Sequence, residues 1–539
     1  MQAAVVRSAA LAVVRDKLPG VSLEAPSSAQ QSSAPEGRPP TGPRFRPWLE
    51  AIAATAPAPL SSGQVLAVWI AAFLIVPTRI YARSAAIWDW DESLFILGVR
   101  NFDVGSHHPH PPGFPLYMIL AKVLNRFTPT EQIALQTINI LAAATLFPLL
   151  FYFARELRFS FFTAFAGSLL TVFLPNVWFY GGTALTDVPA LAMIVGAMLL
   201  MLAGARRSGA APVLWGCFLY GASTGMRAQN VLIGAAAFAV SAYVTAGRSR
   251  IRALWGFVVA ASTSAALTIG AALVTGWSRY WWVVKQHQIY ISTHDSVFAP
   301  GRQQLTSIME LFFVREPGAG PISWIIFFLV LAGLIRSLRS RSGPAGFLAA
   351  TFVPFAIFAW LMLDMWSAHR FSIGYIPLVT ILAAEGVVAL TAFSSPRAAY
   401  LRIALTCALI LALVVWTVPA LKVVRSTPSP QTAAASWIRA TFPAARWAIV
   451  ETHGMAPFVD ALLPDYRSSE VSDSAALPRE RSAVSRLLLT EHPVGLPQTT
   501  LFSRPHGRIW NIGTHRYYEV AVTRMDAAAA DHRIAPPQP

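Results

Sequence analysis

The chain has 539 residues, 55% of them hydrophobic and 13% charged, with a formal net charge of +16 and a mean hydropathy of +0.50. So little charge cannot clothe a water-soluble domain of this size. The basic excess does not indicate nucleic acid either: the arginines stand in short connections between apolar runs, where retention of positive charge on the cytoplasmic side of a membrane accounts for them.

The first segment, about 45 residues rich in Arg, Ser and Pro, lacks the long apolar core of a secretory signal peptide. A transit peptide shares that composition, and residues 1–60 are predicted to form a disordered cytoplasmic tail. Apolar runs follow at 64–82, 134–154, 162–181, 187–204, 212–226, 229–246, 253–276, 321–338, 344–363, 371–393 and 399–420. Runs of roughly 17–25 such residues suit bilayer-crossing helices. Segment 113–127 is shorter and carries Lys122, Asn125 and Arg126, which suits a helix lying on the membrane surface. With that choice the clusters Arg155/Arg158, Arg206/Arg207, Arg248/Arg250/Arg252, Arg336/Arg339/Arg341 and Arg397/Arg402 all fall on the N-terminal, cytoplasmic side. Cys217 and Cys407 lie inside apolar runs and read as packed thiols rather than a disulfide or metal pair.

The expected fold class is thus an all-α polytopic membrane protein, with about 11 transmembrane helices over residues 61–425 and interfacial helices in the first outer loop. Beyond residue 420 the pattern changes. Segment 430–539 alternates at Trp447-Ala448-Ile449-Val450-Glu451 and from Tyr517 to Val522, with helical patches near 431–441 and 483–490. A small α/β soluble domain on the outer face is expected there. No internal repeat stands out.

The same topology brings loop 83–112, the Thr186-Asp187 turn, Arg227, loop 277–320 and the stretch from Asp364 to Arg370 to one outward face. Unusual polar residues converging there point to a single site. Its centre is Trp88-Asp89-Trp90-Asp91-Glu92, followed by His107-His108-Pro109-His110-Pro111-Pro112-Gly113-Phe114-Pro115-Leu116-Tyr117. Asp91 and Glu92 are the candidate catalytic pair, since a carboxylate at the mouth of an apolar cavity can take the proton of an attacking hydroxyl. The same pair would also serve a solvated helix start. Asp89-Trp90-Asp91 spells D-x-D, able to hold a divalent cation through oxygen, with His107, His108 and His110 either added ligands or polar filler. A divalent cation is therefore an open option, and no metal ligand is assigned. The proline run stiffens the chain and fixes where His110 and Tyr117 point.

Asp187 is both a good N-cap and a site candidate. Arg227 interrupts an apolar stretch and needs a partner, either Asp187, Asp91 or a ligand phosphate. Lys285, His287, His294 and Asp295 follow Tyr280-Trp281-Trp282, which forms either an interfacial belt or the lining of a groove for an isoprenoid lipid. His369-Arg370 snorkels or binds phosphate.

D-E after the first span and H-P-P ahead of an interfacial helix resemble the C-type, polyprenyl-phosphate-sugar-dependent integral-membrane glycosyltransferases. The nearest branches are the protein O-mannosyltransferases and the aminoarabinose transferases. The fuller H-P-P-G-F-P-L-Y also resembles a branch of O-mannosyltransferase-like membrane proteins whose first motif is usually D-x-G-E. Leu185-Thr186-Asp187-Val188-Pro189, Gly225-Met226-Arg227, and Arg370-Phe371 with Pro377 are looser matches. The resemblance runs from about residue 64 to 420 and leaves the segment beyond 430 unmatched. It implies a donor sugar on polyprenyl phosphate and an acceptor entering from the outer face. Asp91 would act on the acceptor with Glu92 beside it, and Arg227 and Arg370 would hold the donor phosphate. Asp89, His108, His110, Tyr117, Asp187, Lys285, His287 and His369 complete the candidate substrate-binding set. The sequence W-D-W-D-E-S leaves Asp89 competing with Asp91 for the base role, and Asp91 is chosen because it begins the D-E pair.

The expected function is an inverting transfer of a sugar to an acceptor hydroxyl on a glycolipid, glycan or protein. One carboxylate suffices to deprotonate the acceptor, and arginines stabilise the leaving phosphate in a water-poor site. The expected setting is a bacterial inner membrane with a periplasmic active site, the bilayer being a partner. A transporter or flippase of a lipid-linked anion is the rival. Transporters often show two related halves with matching broken helices, which this sequence lacks. A scaffold presenting the outer domain leaves the first-loop constellation unexplained.

Overall fold

The computed structural model describes residues 56–301, 305–392, 397–471, 485–503 and 519–525. All belong to the second of two compact units, Pro47–Pro539. The tail expected over 1–60 lies, except for 56–60, outside the described residues, as do 483–484 and Tyr517-Tyr518 of the expected C-terminal elements.

The first part of the chain forms α1 (Ser62–Tyr81), α2 (Trp90–Arg100), α3 (Pro115–Leu124), α4 (Glu131–Glu156), α5 (Phe161–Phe173) and α6 (Pro175–Tyr180). Next come α7 (Asp187–Arg206), α8 (Ala210–Ser223), α9 (Asn230–Ala246), α10 (Arg250–Thr275), α11 (Trp277–Tyr290) and α12 (Leu305–Phe313). The last membrane helices are α13 (Ile322–Arg339), α14 (Gly343–Met362), α15 (Ala368–Phe371), α16 (Ile376–Leu390) and α17 (Arg397–Ser426).

Every apolar run expected from the sequence is helical. Among the described residues, 7 helices are long and apolar enough to cross a membrane, or 8 if the bent pair 368–374 and Ile376–Leu390, which meet at 77°, is one span. The other three runs, α5, α8 and α9, have 13, 14 and 17 residues, below the roughly 20 of a straight crossing. α5 is continued by α6 after a break at Leu174. Leu174 is extended because it precedes Pro175, which opens α6. α3, with 10 residues, is too short to cross. It buries Tyr117, Met118 and Ala121 and exposes Ile119, Leu120 and Val123, as expected of a helix lying along an apolar surface.

The caps are local and strong. Ser61 and Gln64 form a reciprocal capping box before α1, and Thr130 and Ser342 accept first-turn N–H groups of α4 and α14. The outer face of α1 exposes Trp69, Ile70, Phe73 and Leu74. Such a patch would drive aggregation in water but suits hydrocarbon. α7 is the innermost crossing, with 78% of its apolar window buried against 17% for α10.

The two ends of the bundle differ in chemistry. At one end Glu156 accepts ion pairs from Arg206 (2.6 Å) and Arg207 (2.7 Å), Glu385 pairs with Arg336 (3.1 Å), and Arg402 donates to Thr391 (2.9 Å). The opposite end carries the first loop and the starts of α7 and α15.

The first loop is pinned on several sides. Ser84 N–H donates to the Gly182 carbonyl (2.9 Å), Leu116 N–H to the Gly225 carbonyl (3.0 Å), Tyr280 Oη to the Pro112 carbonyl (3.1 Å), and Arg279 pairs with Asp103 (3.0 Å). Gly182 is required by close approach: a Cβ there would stand 2.0 Å from the Ala82 carbonyl oxygen.

The C-terminal part combines helices with a small sheet, and Ser485–Thr490, expected within a helical patch, is instead a strand, because its Leu487-Leu488-Leu489 run is buried between two neighbouring strands. It contains α18 (Pro430–Thr441), β1 (Trp447–Thr452), α19 (Ala456–Leu462), β2 (Arg467–Val471), β3 (Ser485–Thr490), β4 (Thr499–Ser503) and β5 (Glu519–Met525). The sheet order is β2-β1-β3-β5-β4. β1 runs parallel to β2 and β3, and β5 antiparallel to β3 and β4. α19 rests on α2, where Arg100 donates to the Ala461 carbonyl (2.9 Å) and pairs with Glu131 (3.0 Å).

Gly182→Ala forces the turn before α7 away from the end of α1 and is expected to cost about 1–3 kcal/mol. Gly63→Ala, where nothing lies within 4 Å, should be neutral. Apparent Tm values in the same detergent check the contrast, and equal values would refute the close-approach argument.

Candidate active site

The site grows from the start of α2. Asp89 is its N-cap: Oδ1 accepts from Asp91 N–H (2.9 Å). Glu92 closes the box, its Oε2 accepting from the backbone N–H of Trp88 (2.7 Å) and Asp89 (3.0 Å). Its Oε1 accepts from Ala184 N–H (2.7 Å), just before α7. Both oxygens of this fully buried carboxylate therefore hold backbone, and Glu92 ties the first loop to the start of α7. The spacing D-x-x-E is itself a capping-box signature. The helix-start and site readings of this run thus hold together, on different residues.

Asp91, freed from capping, turns to Arg370. Arg370 Nη1 lies 2.5 Å from Asp91 Oδ2 and 3.6 Å from Asp89 Oδ1, and its Nε donates to Asp187 Oδ2 (2.9 Å). The other Asp187 oxygen pairs with Arg227. The N-cap of α7 is Thr186, with no side-chain cap bond. The Asp187 carboxylate, expected as a cap, is instead spent on two arginines, and it is the Arg227 partner that the sequence left open. The Phe371 ring lies 5.5 Å from both guanidinium carbons. Beside this network a narrow cleft is lined by Asp187, Arg227, Asn230, Phe355, Phe371 and Gly374.

His110 Nδ1 stands 3.6 Å from Asp91 Oδ1, its ring packed on Phe95 and Phe114 and 5.9 Å from the His287 ring. Tyr117 is buried beneath, edge-on to Phe95 (5.3 Å), and accepts from Asn139 (2.9 Å). These members of the candidate set come together. Three do not join the ion network. Lys285 is exposed on α11. His108 pairs its backbone with Asp103 and faces Asp460 of the C-terminal domain. The His369 ring lies 3.4 Å from the Glu316 carbonyl.

Burial pushes Asp89 up to about 7, helped by the Asp91 and Glu92 charges and opposed by Arg370. Burial also raises Glu92. It works in the same sense on Asp91, but the positive charges of protonated His110 and of Arg370 prevail and hold Asp91 below the usual carboxylate range. His110 is pushed down to about 4 by burial, which leaves it neutral at neutral pH.

Asp89 and Asp91 do not form an open pair of oxygen ligands, because the Arg370 guanidinium lies against both. Among the described residues no group of three or more His, Cys, Asp or Glu is disposed to hold a metal ion. A dication between Asp89 and Asp91 would have to displace the Arg370 guanidinium. Several buried polar atoms around the network lack a partner among the described residues: Asp89 Oδ2, Trp90 Nε1, His110 Nδ1, Thr186 Oγ1 and Arg227 Nε. Buried polar atoms are ordinarily satisfied by protein, water or ligand.

The sequence did not single out Asn176, Glu316 or Tyr180. Buried Asn176 donates to the carbonyls of Glu316 (3.0 Å) and His369 (3.0 Å) and to Ser372 Oγ (3.1 Å), which fixes the turn that carries Arg370. Its signal was its place behind Pro175 at the start of a short helix. Glu316 is 2% exposed, and burial pushes it up to about 8.

No family model matches the sequence, and no curated protein matches it at a significant level. Solved structures do share its fold. The aminoarabinose transferase ArnT from Cupriavidus metallidurans, bound to undecaprenyl phosphate, superposes with a TM-score of 0.50 at 12% identity over 89% of this chain and 100% of that one. The archaeal oligosaccharyltransferase AglB from Archaeoglobus fulgidus, in complex with an inhibitory peptide and a dolichol-phosphate, gives 0.47 at 13% identity over 80% and 69%. The arabinofuranosyltransferase AftD from Mycobacteria gives 0.45 at 13% over 88% and 41%. The chain shares the fold of this ArnT structure.

The Asp89 shift has a defined sign. A carboxyl whose pKa rises on folding stabilises the folded state at acid pH, and that contribution fades as pH climbs from about 4, the ordinary value, to about 7. The apparent Tm of the wild type should therefore fall relative to Asp89→Asn between pH 4.5 and 7 and run parallel above it. Parallel curves throughout would refute the assignment.

Proposed function

We propose that this protein is an integral-membrane glycosyltransferase that moves a sugar from a polyprenyl-phosphate donor to an acceptor hydroxyl on a glycolipid, glycan or protein. The observation that carries the reading is the Asp91–Arg370–Asp187–Arg227 network, set at one end of the helices beside a cleft and surrounded by unsatisfied buried polar atoms. By the positive-inside rule the opposite, arginine-rich end faces the cytoplasm. The site then opens on the outer face, which in a bacterium is the periplasmic side of the inner membrane.

In the proposed step the acceptor oxygen attacks the anomeric carbon and its proton passes to an Asp91 carboxylate oxygen. The bond from that carbon to the phosphate oxygen breaks, and the electron pair leaves with polyprenyl phosphate. The carbon inverts in a single displacement. Arg227, with its unsatisfied Nε, and Arg370 receive the developing phosphate charge. Asp91, bonded to Arg370, is ionised but weakly basic. When the donor phosphate draws Arg370 away, Asp91 loses its partner and its basicity returns toward the ordinary carboxylate value. Glu92, with both oxygens holding backbone, positions Asp91 and takes no part in proton transfer. Neutral His110, 3.6 Å away, orients the reacting face of Asp91.

Purified protein in nanodiscs offered a panel of polyprenyl-phosphate sugars, with released polyprenyl phosphate as readout, tests the reading. Asp91→Asn keeps volume and removes charge, so turnover should drop roughly 10³-fold while donor affinity changes little. Arg227→Ala should instead weaken donor binding roughly 10- to 100-fold. Donor binding without release in the presence of acceptors would overturn the transferase reading in favour of a flippase.

A further inference from the structure

At the arginine-rich end, far from the carboxylate network, a second cleft lies where α7, α8, α9 and α10 meet. It is a shallow cleft, open to the surroundings. Gly204, Ala210, Val213 and Leu214 supply its apolar lining, with Arg248, Arg252 and Trp255 at its rim. Close helix approach forms its floor: a Cβ on Gly204 would stand 2.8 Å from Val213 N.

Three features give the cleft its chemistry. The first is uncompensated charge. Arg206 and Arg207 share the single carboxylate of Glu156, whereas Arg248, Arg250 and Arg252 have no carboxylate partner among the described residues. The second is fixed geometry. Arg248 bonds through one guanidinium nitrogen to the Ala205 carbonyl at the end of α7, which holds its cationic plane over the opening. Gly209 and Ala210 at the cleft wall begin α8, whose first turn has no side-chain cap, so the positive end of that helix adds to the field. The third is the surroundings. Ile251 (69% exposed), Leu254 and Trp255 face outward from the same helix start that carries Arg250 and Arg252. Outward apolar side chains interleaved with arginines and a tryptophan mark the boundary between hydrocarbon and headgroups.

We propose that this cleft binds an anionic phospholipid, with its headgroup phosphate held by Arg248 and Arg252 and part of one acyl chain lying against Gly204, Ala210, Val213 and Leu214. The ligand needs both halves. A free phosphate would leave the apolar lining unfilled, and a zwitterionic lipid would bring its own cation to the arginines. The site lies at the opposite end of α7 from Asp187, so it is independent of the sugar-transfer reading.

The test uses the full chain, stripped of lipid in detergent, with retention measured by native mass spectrometry and by apparent Tm. Phosphatidylglycerol should bind and raise the Tm, phosphatidylcholine should bind at least about ten-fold more weakly, and inorganic phosphate should give no shift. Arg248→Ala with Arg252→Ala should weaken phosphatidylglycerol roughly 30-fold. Leu214→Trp, which fills the apolar part with both arginines intact, should weaken it as well. Unchanged binding in the double variant, equal binding of the two lipids, or a full shift from inorganic phosphate alone would each overturn the proposal.

Discussion

Burying aspartates is expensive unless a cation meets them, and Arg370 is placed to meet three at once. Its partners come from distant parts of the chain. Asp91 is 279 positions away and Asp187 is 183, and Asp187 in turn holds Arg227 at a separation of 40. Removing one member of such a buried set strands the others at a cost of several kcal/mol. The start of α2, the start of α7, the turn between α8 and α9 and the bend before α16 are therefore held in one arrangement. The first loop's remaining contacts, through Glu92 to Ala184 and through Leu116 to Gly225, brace it from below.

The same network is a store of reactivity. Three carboxylates and two guanidiniums leave the set short of positive charge, yet Asp89 can take up a proton near neutrality and so bring it close to balance. In the proposed reaction an incoming phosphate competes with the aspartates for the arginines, and the carboxylate released is the one that faces the acceptor. Binding of the donor and activation of the base become one event, because both draw on Arg370. Phe371, against both guanidiniums, keeps the two arginines in register while their partners change.

The two ends of the bundle divide the charge of the chain between two kinds of work. At the site end charge is buried, paired and scarce. At the other it is exposed and largely arginine, and it partly lacks counter-charge. That is the distribution expected when one face meets a confined substrate and the other meets anionic headgroups.

The crossing helices were legible in the sequence because hydropathy is a local property: twenty apolar residues announce a span whatever surrounds them. So did the surface helix after Pro115, too short and too polar at Lys122 and Arg126 to cross, and the alternation at Trp447–Thr452 that became β1. Motif reading went further than hydropathy, since Asp91-Glu92 read as a helix start and D-E after the first span marked where the carboxylates gather, whereas the capping box of Asp89 and Glu92 emerged only with the structure. Only the tertiary structure decided which carboxylate is free. Asp89, Asp91 and Glu92 are near neighbours in the chain, yet one caps a helix, one holds the backbone of two segments, and one meets Arg370. It also decided that Arg227 pairs with Asp187, that Lys285 stays outside, and that Asn176 and Glu316 shape the arginine-bearing turn. The reason is physical: apolar burial follows composition along the chain, whereas the partner of a buried charge is set by which distant segment arrives beside it.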